Sequence, residues 1–278
     1  MKTICEAIGL ATKFLHERGV ERARRLSEEI FAHVLHMKRL DLYLQFDRPM
    51  NEEELANARA CLVRCGKKEP LQYVLGETDF FGCPLRVDSR ALIPRQETEI
   101  LASLISKKVQ KAGTLWDVCT GSGCLGLSLK KAHPELEVVL SDLSKDALDL
   151  ACTNAEMNQL SVELRQGDLF APFEGEMADW IVCNPPYVTE EEWHGLDTSV
   201  RDFEPKMALV AENRGLMFYE RIALQAPQHL KPKGCLWLEI GSTQKEAIQE
   251  LFETGSWAKI EAIQDWSGRD RFFFLEKG

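Results

Sequence analysis

From residue 96 onward the chain alternates helix-spaced apolar positions with short, wholly apolar runs, and that rhythm constrains its fold more than any other feature. Glu97 to Lys111 has helical spacing and precedes the strand-like run Leu115 to Cys119. A helix from Leu125 leads to strand Glu137 to Ser141, and a helix from Ser144 to strand Val162 to Gln166. Strand Asp179 to Cys183 comes next, then a long acidic loop from Val188 to Arg214, a helix near Leu216 to Leu230 and strand Cys235 to Ile240. Strands joined by helices return to the same end of a sheet and pair in parallel, so this stretch predicts an α/β domain with helices on both faces. The rhythm then breaks: Ile260 to Trp266, the turn Ser267-Gly268-Arg269-Asp270 and Phe272 to Leu275 read as an antiparallel hairpin.

The first 65 residues have a different period. Ile4, Ile8, Ala11 and Leu15, then Ala23, Leu26, Ile30 and Val34, then Leu55, Leu62 and Cys65 mark three amphipathic helices. The third starts at Asn51, with Glu54 three residues on completing a capping box, and stops at Gly66. Between Pro70 and Pro94 the glycines Gly76 and Gly82 and Pro84 interrupt aromatic and β-branched residues, as in a linker carrying a short hairpin. The predicted organisation is a helical bundle over 1–70, a linker over 71–95 and the α/β domain over 96–278, and 278 residues suit two domains. The nine cysteines are odd in number and scattered through apolar runs, so they read as reduced. With no apolar run near the ~18 residues of a membrane span and an amphipathic start instead of a signal, the expected location is cytoplasmic. The net charge of −10 argues against a protein that grips duplex phosphates, although residues 1–70 carry 13 basic against 11 acidic side chains.

Candidate binding residues gather where the strands end. Cys119, Thr120, Gly121, Ser122 and Gly123 form a small-residue turn between a strand and a helix N-terminus, which lets a ligand approach backbone N–H groups. The next strand ends at Asp142, 19 residues beyond Gly123, where a carboxylate can accept from ribose hydroxyls. The third ends in Gly167-Asp168-Leu169-Phe170, one acceptor plus apolar walls suited to an adenine. The turn lacks the full dinucleotide fingerprint, so pyrophosphate contact is not expected. A ribose and an adenine without pyrophosphate suggest S-adenosylmethionine.

The fourth strand ends in Asn184-Pro185-Pro186-Tyr187, the most specific signal in the chain. Two prolines fix φ and remove two N–H donors, leaving carbonyl acceptors in a stiff loop. The Asn184 and Pro185 carbonyl oxygens can accept both hydrogens of a planar NH2 group while Tyr187 offers it a flat face. Amide and exocyclic base nitrogens both qualify. Such nitrogens are poor nucleophiles, and two fixed acceptors stabilise the positive character they gain on attack. Held in line with a sulfonium methyl, they need no metal.

On these residues the chain resembles the release factor glutamine methyltransferases, the PrmC/HemK family. The likeness extends to Pro70-x-x-Tyr73-x-x-Gly76, Leu92-Ile93-Pro94-Arg95 with Glu97-Thr98-Glu99, Glu204-Pro205 with Ala208-Leu209, and Glu239-Ile240-Gly241. It implies a seven-stranded, Rossmann-like class I methyltransferase domain behind an N-terminal helical bundle that helps to recognise the partner. The implied reaction is transfer of the methyl of S-adenosyl-L-methionine, leaving S-adenosyl-L-homocysteine, to the side-chain amide nitrogen of the glutamine in the Gly-Gly-Gln loop of class 1 peptide-chain release factors. By the same resemblance, Cys119 to Gly123 match the methionine-binding segment, Asp142 the ribose ligand, Asp168-Leu169 the adenine site and Asn184 to Tyr187 the glutamine clamp. Cys119 stands where the family often has Gly, and Gln96 where a second Pro is usual.

Other readings of the same residues are a glutamine methyltransferase acting on a ribosomal protein, an adenine-N6 DNA methyltransferase, and a nucleotide-sensing module whose clamp is unused. The DNA enzyme fits poorly, since flipping a base and gripping phosphates calls for basic surface that this chain lacks.

Overall fold

A computed structural model of the chain describes residues 2–109, 111–253, 255 and 257–278. It divides into two units, Met1–Gly76 with Asp197–Phe203, and Glu77–Leu196 with Glu204–Gly278.

The first unit is a set of helices, α1 (Ile4–His16), α2 (Ala23–Val34), α3 (Glu52–Cys65) and α4 (Leu71–Leu75). Thr3 caps α1 and Asn51 caps α3, each in a reciprocal box with the glutamate three residues on, and α3 stops at Gly66. The start and stop read from the sequence for α3 are those observed. Ile4, Ile8, Leu15, Ile30, Phe31 and Leu62 fill the core. Beside it, the buried Glu28 carboxylate accepts from Arg24 (2.7 Å), Arg39 (2.9 Å) and Tyr43 (2.7 Å), which meets the cost of burying a charge. The sequence reading ends this unit at residue 70, whereas here it runs to Gly76. The reason is α4, a single turn too short to show a period. Its Val74 joins the core, and the Arg64 guanidinium donates to the Tyr73 and Val74 carbonyls.

The second unit opens with an antiparallel hairpin, β1 (Glu77–Phe80) and β2 (Cys83–Arg86). Seven further strands form one sheet: β3 (Gly113–Val118), β4 (Leu136–Asp142), β5 (Glu163–Gln166), β6 (Ala178–Cys183), β7 (Leu230–Glu239), β8 (Trp257–Gln264) and β9 (Asp270–Lys277). Their order is β5-β4-β3-β6-β7-β9-β8; the first five are parallel and β9 runs antiparallel between β7 and β8. Helices α5 (Gln96–Lys108), α6 (Cys124–Ala132), α7 (Lys145–Met157), α8 (Met217–His229) and α9 (Lys245–Glu253) connect and cover it. The parallel sheet with its C-terminal hairpin is the expected one. The short α9 was not anticipated, because Ile248, Leu251 and Phe252 are its only large apolar residues in a polar run.

The strand order places β3 in the middle, with β4 on one side and β6 on the other. Chain crossovers leave β3 in opposite directions there, which opens a crevice at the carboxyl ends of these strands. The loops after β3, β4, β5 and β6 converge on it.

Candidate active site

The crevice is a cavity, and its wall assembles from residues far apart in sequence. Cys119, Thr120, Gly121 and Ser122 contribute from the β3–α6 turn, Asp142 from the end of β4, Asp168 and Leu169 from the end of β5, and Asn184 and Pro186 from the end of β6. The structure thus brings most of the predicted binding residues to one place. Gly123, Pro185 and Tyr187 stand behind the wall.

The turn after β3 is built by left-handed backbone. Cys119, Gly121 and Gly123 have φ of 60°, 55° and 81°. The first is a side chain where glycine is cheaper, and Cys119 packs against the core on one side while lining the cavity on the other. A Cβ at Gly123 would lie 2.8 Å from Leu127 Cδ1 within α6 and 3.2 Å from Ala151 Cβ on α7, in a left-handed backbone that favours glycine. Two carboxylates hold the turn. Buried Asp117 accepts at Oδ2 from the Thr120 hydroxyl (2.6 Å) and the Gly126 N–H (2.8 Å), and burial pushes its carboxyl up to about 7. Asp142 accepts at Oδ2 from the Gly121 N–H (2.8 Å) and at Oδ1 from the Ser144 N–H (2.9 Å), and burial raises its pKa too. Asp142 therefore braces the β3 turn while its outer lone pairs face the cavity.

At the β5 end, Leu169 is buried and Asp168 is exposed, its Oδ2 paired with the Arg221 guanidinium at 2.8 Å. The sequence reading did not foresee Arg221, which reaches Asp168 from α8. Nearby, Arg95 is paired with buried Glu204 at 2.6 Å, and the same carboxylate accepts from the Ile93 N–H at 3.0 Å. Arg90 is paired with Asp88. Both wall arginines are thus neutralised, as Asp168 is by Arg221, which leaves Asp117 and Asp142 as the wall carboxyl groups with no ion pair among the described residues. The hydroxyls of Ser122 and Ser141, on residues that also line it, are buried and have no partner among the described residues. Orphaned hydroxyls on a cavity wall suit a polar ligand.

The β6 end is held from behind. The Asn184 amide nitrogen donates to Thr98 Oγ1 (3.3 Å), and the Thr98 hydroxyl donates to Glu239 Oε2 (2.7 Å). The Tyr187 hydroxyl donates to the other oxygen, Oε1 (3.3 Å). Burial pushes Glu239 up to about 7 against these hydrogen bonds and the charge of Arg271, and burial likewise lifts Tyr187 above the usual phenol range. The Gln244 amide nitrogen donates to the Tyr187 carbonyl (3.1 Å), and a Cβ at Gly215 would strike that same carbonyl. Tyr187 thus turns its hydroxyl inward and leaves the cavity face of the loop to Asn184 and Pro186. Thr98 and Glu239 had no assigned task in the sequence reading. Their signal was present: a lone carboxylate ending the apolar run Leu236-Trp237-Leu238 has to be paired with something.

Two family models match the chain, "PrmC N-terminal domain" over residues 6–76 and "Methyltransferase small domain" over residues 95–199. It is 37% identical over 269 residues to a release factor glutamine methyltransferase of Geobacter sulfurreducens, covering 97% of this chain and 95% of that one. It is 40% identical over 269 residues to a release factor glutamine methyltransferase of Chlamydia trachomatis serovar D, covering 96% and 91%. Among solved structures, a methyltransferase from Pyrococcus furiosus superposes with a TM-score of 0.54 at 17% identity, over 71% of this chain and 90% of that one. That likeness concerns the fold.

Proposed function

The chain belongs to the release factor glutamine methyltransferase family, and from that premise we propose that it moves a methyl group from S-adenosylmethionine to a glutamine side-chain amide nitrogen in peptide-chain release factors. The glutamine of the Gly-Gly-Gln loop is the acceptor, and the product is N5-methylglutamine. The observation that carries the reading within the site is the direction of the Asn184 amide. Its nitrogen is engaged by Thr98, which also lines the cavity, so its oxygen is left to accept.

The residues present fit the methyl donor. Asp142 takes the ribose hydroxyls on lone pairs that Gly121 and Ser144 leave open, and Leu169 with Asp168 takes the adenine. The turn from Cys119 to Gly123 receives the methionine part, where the unpartnered Ser122 hydroxyl and the carboxylates of Asp117 and Asp142 suit a cationic group. When bound, the cofactor supplies a methyl on a sulfonium, already activated for displacement. The protein's task is then to present the nucleophile. Asn184 Oδ1, on the cavity wall, would accept one amide hydrogen, and the carbonyl of the neighbouring Pro185, set back from that wall, the other, so that the two would present the nitrogen to the donor. The acceptors stabilise the charge that develops on nitrogen, which is where their effect on rate arises.

Incubation with methyl-labelled S-adenosylmethionine and purified release factor, followed by mass mapping, tests this directly. A label on the Gly-Gly-Gln glutamine is the expected result. Label on a ribosomal protein or on an adenine of an oligonucleotide, with the release factor unmarked, would replace it.

A further inference from the structure

Clamps of this type work only if the asparagine faces the right way, because a carboxamide turned over presents donors where acceptors are needed. Nothing in the tetrapeptide itself decides this, since the two orientations of an asparagine have nearly the same shape. We infer that Thr98 and Glu239 are positioning residues that hold the Asn184 carboxamide oxygen toward the substrate, and so make the clamp select a nitrogen carrying two hydrogens over a carboxylate. The inference rests on the glutamine-methylating reading and extends it to a residue of the cavity wall, Thr98, and to Glu239 beneath it.

The argument is one of donors and acceptors. Thr98 and Glu239 are each only 2% exposed, so water does not supply alternatives. Glu239 receives one hydroxyl on each oxygen, Thr98 on Oε2 at 2.7 Å and Tyr187 on Oε1 at 3.3 Å, and its ionised form, which prevails above about pH 7, has acceptors only. A threonine hydroxyl has one hydrogen. Once that hydrogen points at Glu239, Thr98 Oγ1 can only accept from Asn184, at 3.3 Å, and only the NH2 side of the amide can donate. Polarity thus runs one way, from the amide nitrogen through the hydroxyl to the carboxylate. The same carboxyl group holds Tyr187, so both ends of the tetrapeptide are referred to one buried acid, and this polarity is that of its ionised form. Its backbone is fixed in turn, because the Tyr219 hydroxyl donates to the Glu239 carbonyl at 2.8 Å. A glutamate side chain entering the clamp would then meet oxygen with oxygen, whereas a glutamine meets it with hydrogens.

Thr98→Val keeps the shape and removes the hydroxyl. We expect kcat on release factor to fall about 10- to 100-fold with the cofactor Kd within a few-fold of wild type, and the melting temperature to drop by several degrees because buried Glu239 loses a donor. Thr98→Ser, which restores the hydroxyl, should recover kcat to within about 3-fold. Because the effect passes through Asn184, adding Thr98→Val to Asn184→Ala should change kcat by less than about 3-fold. An undiminished kcat in Thr98→Val, a Thr98→Ser variant as slow as the valine, or a full additional loss on top of Asn184→Ala would each overturn the inference. The wild-type enzyme assayed alongside separates the two levels: if it fails to mark the release-factor glutamine, the proposed function falls, and if it marks it while Thr98→Val is equally fast, only the relay does.

Discussion

On the proposed reading, single side chains in this site divide into those that would hold the methyl donor and those that would present its target, and substitutions should separate them. Asn184→Ala removes an acceptor needed as charge develops on nitrogen, so kcat should fall about 100- to 1000-fold while calorimetry finds cofactor affinity within a few-fold of wild type. Asp142→Ala should do the reverse first. It takes away the acceptor for the Gly121 and Ser144 N–H groups and for the ribose, weakening cofactor binding about 10- to 100-fold in the same titration. Asp117 affects stability through its proton. Burial raises its carboxyl from 3.8 to about 7, so the folded chain binds that proton more tightly than the unfolded one. Its contribution to stability is therefore complete below about pH 4 and is lost as pH rises through 7. Asp117→Asn can still accept from Thr120 and Gly126, and should flatten this trend. Urea unfolding between pH 5 and 8 should lose less stability in the variant than in wild type, by up to roughly 1.4 kcal/mol per pH unit.

At the level of elements, the site depends on where helices begin. α6 starts at Gly123 directly beneath the cavity, and its first residues are held by Asp117 through Gly126. Gly123→Ala would place a methyl 2.8 Å from Leu127 Cδ1 and 3.2 Å from Ala151 Cβ in a left-handed backbone. It should cost about 1 to 3 kcal/mol in thermal unfolding and weaken cofactor binding, because the turn and the helix move together. The sequence was most informative where local chemistry acts alone. The Asn51–Glu54 box starts α3 as read, and the helix read from Ser144 begins there, capped by the Ser144 side chain. It was least informative for α4 and α9, which are short, and for the acidic loop. That loop is shaped by remote partners: Val188 pairs with Val210, and Glu204 fastens it to Ile93 and Arg95.

Across the whole molecule, β9 links the two sides of the sheet. Phe272 and Phe274 enter the core on one face, and Phe273 and Leu275 the core on the other, all essentially buried. Inserted between β7 and β8, β9 also sets the position of β7, whose end carries Glu239. Phe273→Ala should therefore destabilise the second unit by about 3 to 5 kcal/mol, read as a lower urea midpoint for its transition. Full-length identity of 37–40% to release factor glutamine methyltransferases accords with this architecture.

The sequence alone determined the parallel sheet with its terminal hairpin, the capped bundle helix and the short segments that end the strands. Each of these follows from a period or a turn chemistry contained within a few neighbouring residues. Tertiary structure alone decided that Thr98, Asn184, Tyr187 and Glu239 meet, that Arg221 pairs with Asp168, and which way the asparagine faces. Those outcomes depend on donors and acceptors brought together from positions 52 to 141 residues apart, and no local pattern records whether a buried carboxylate will find its hydroxyls there.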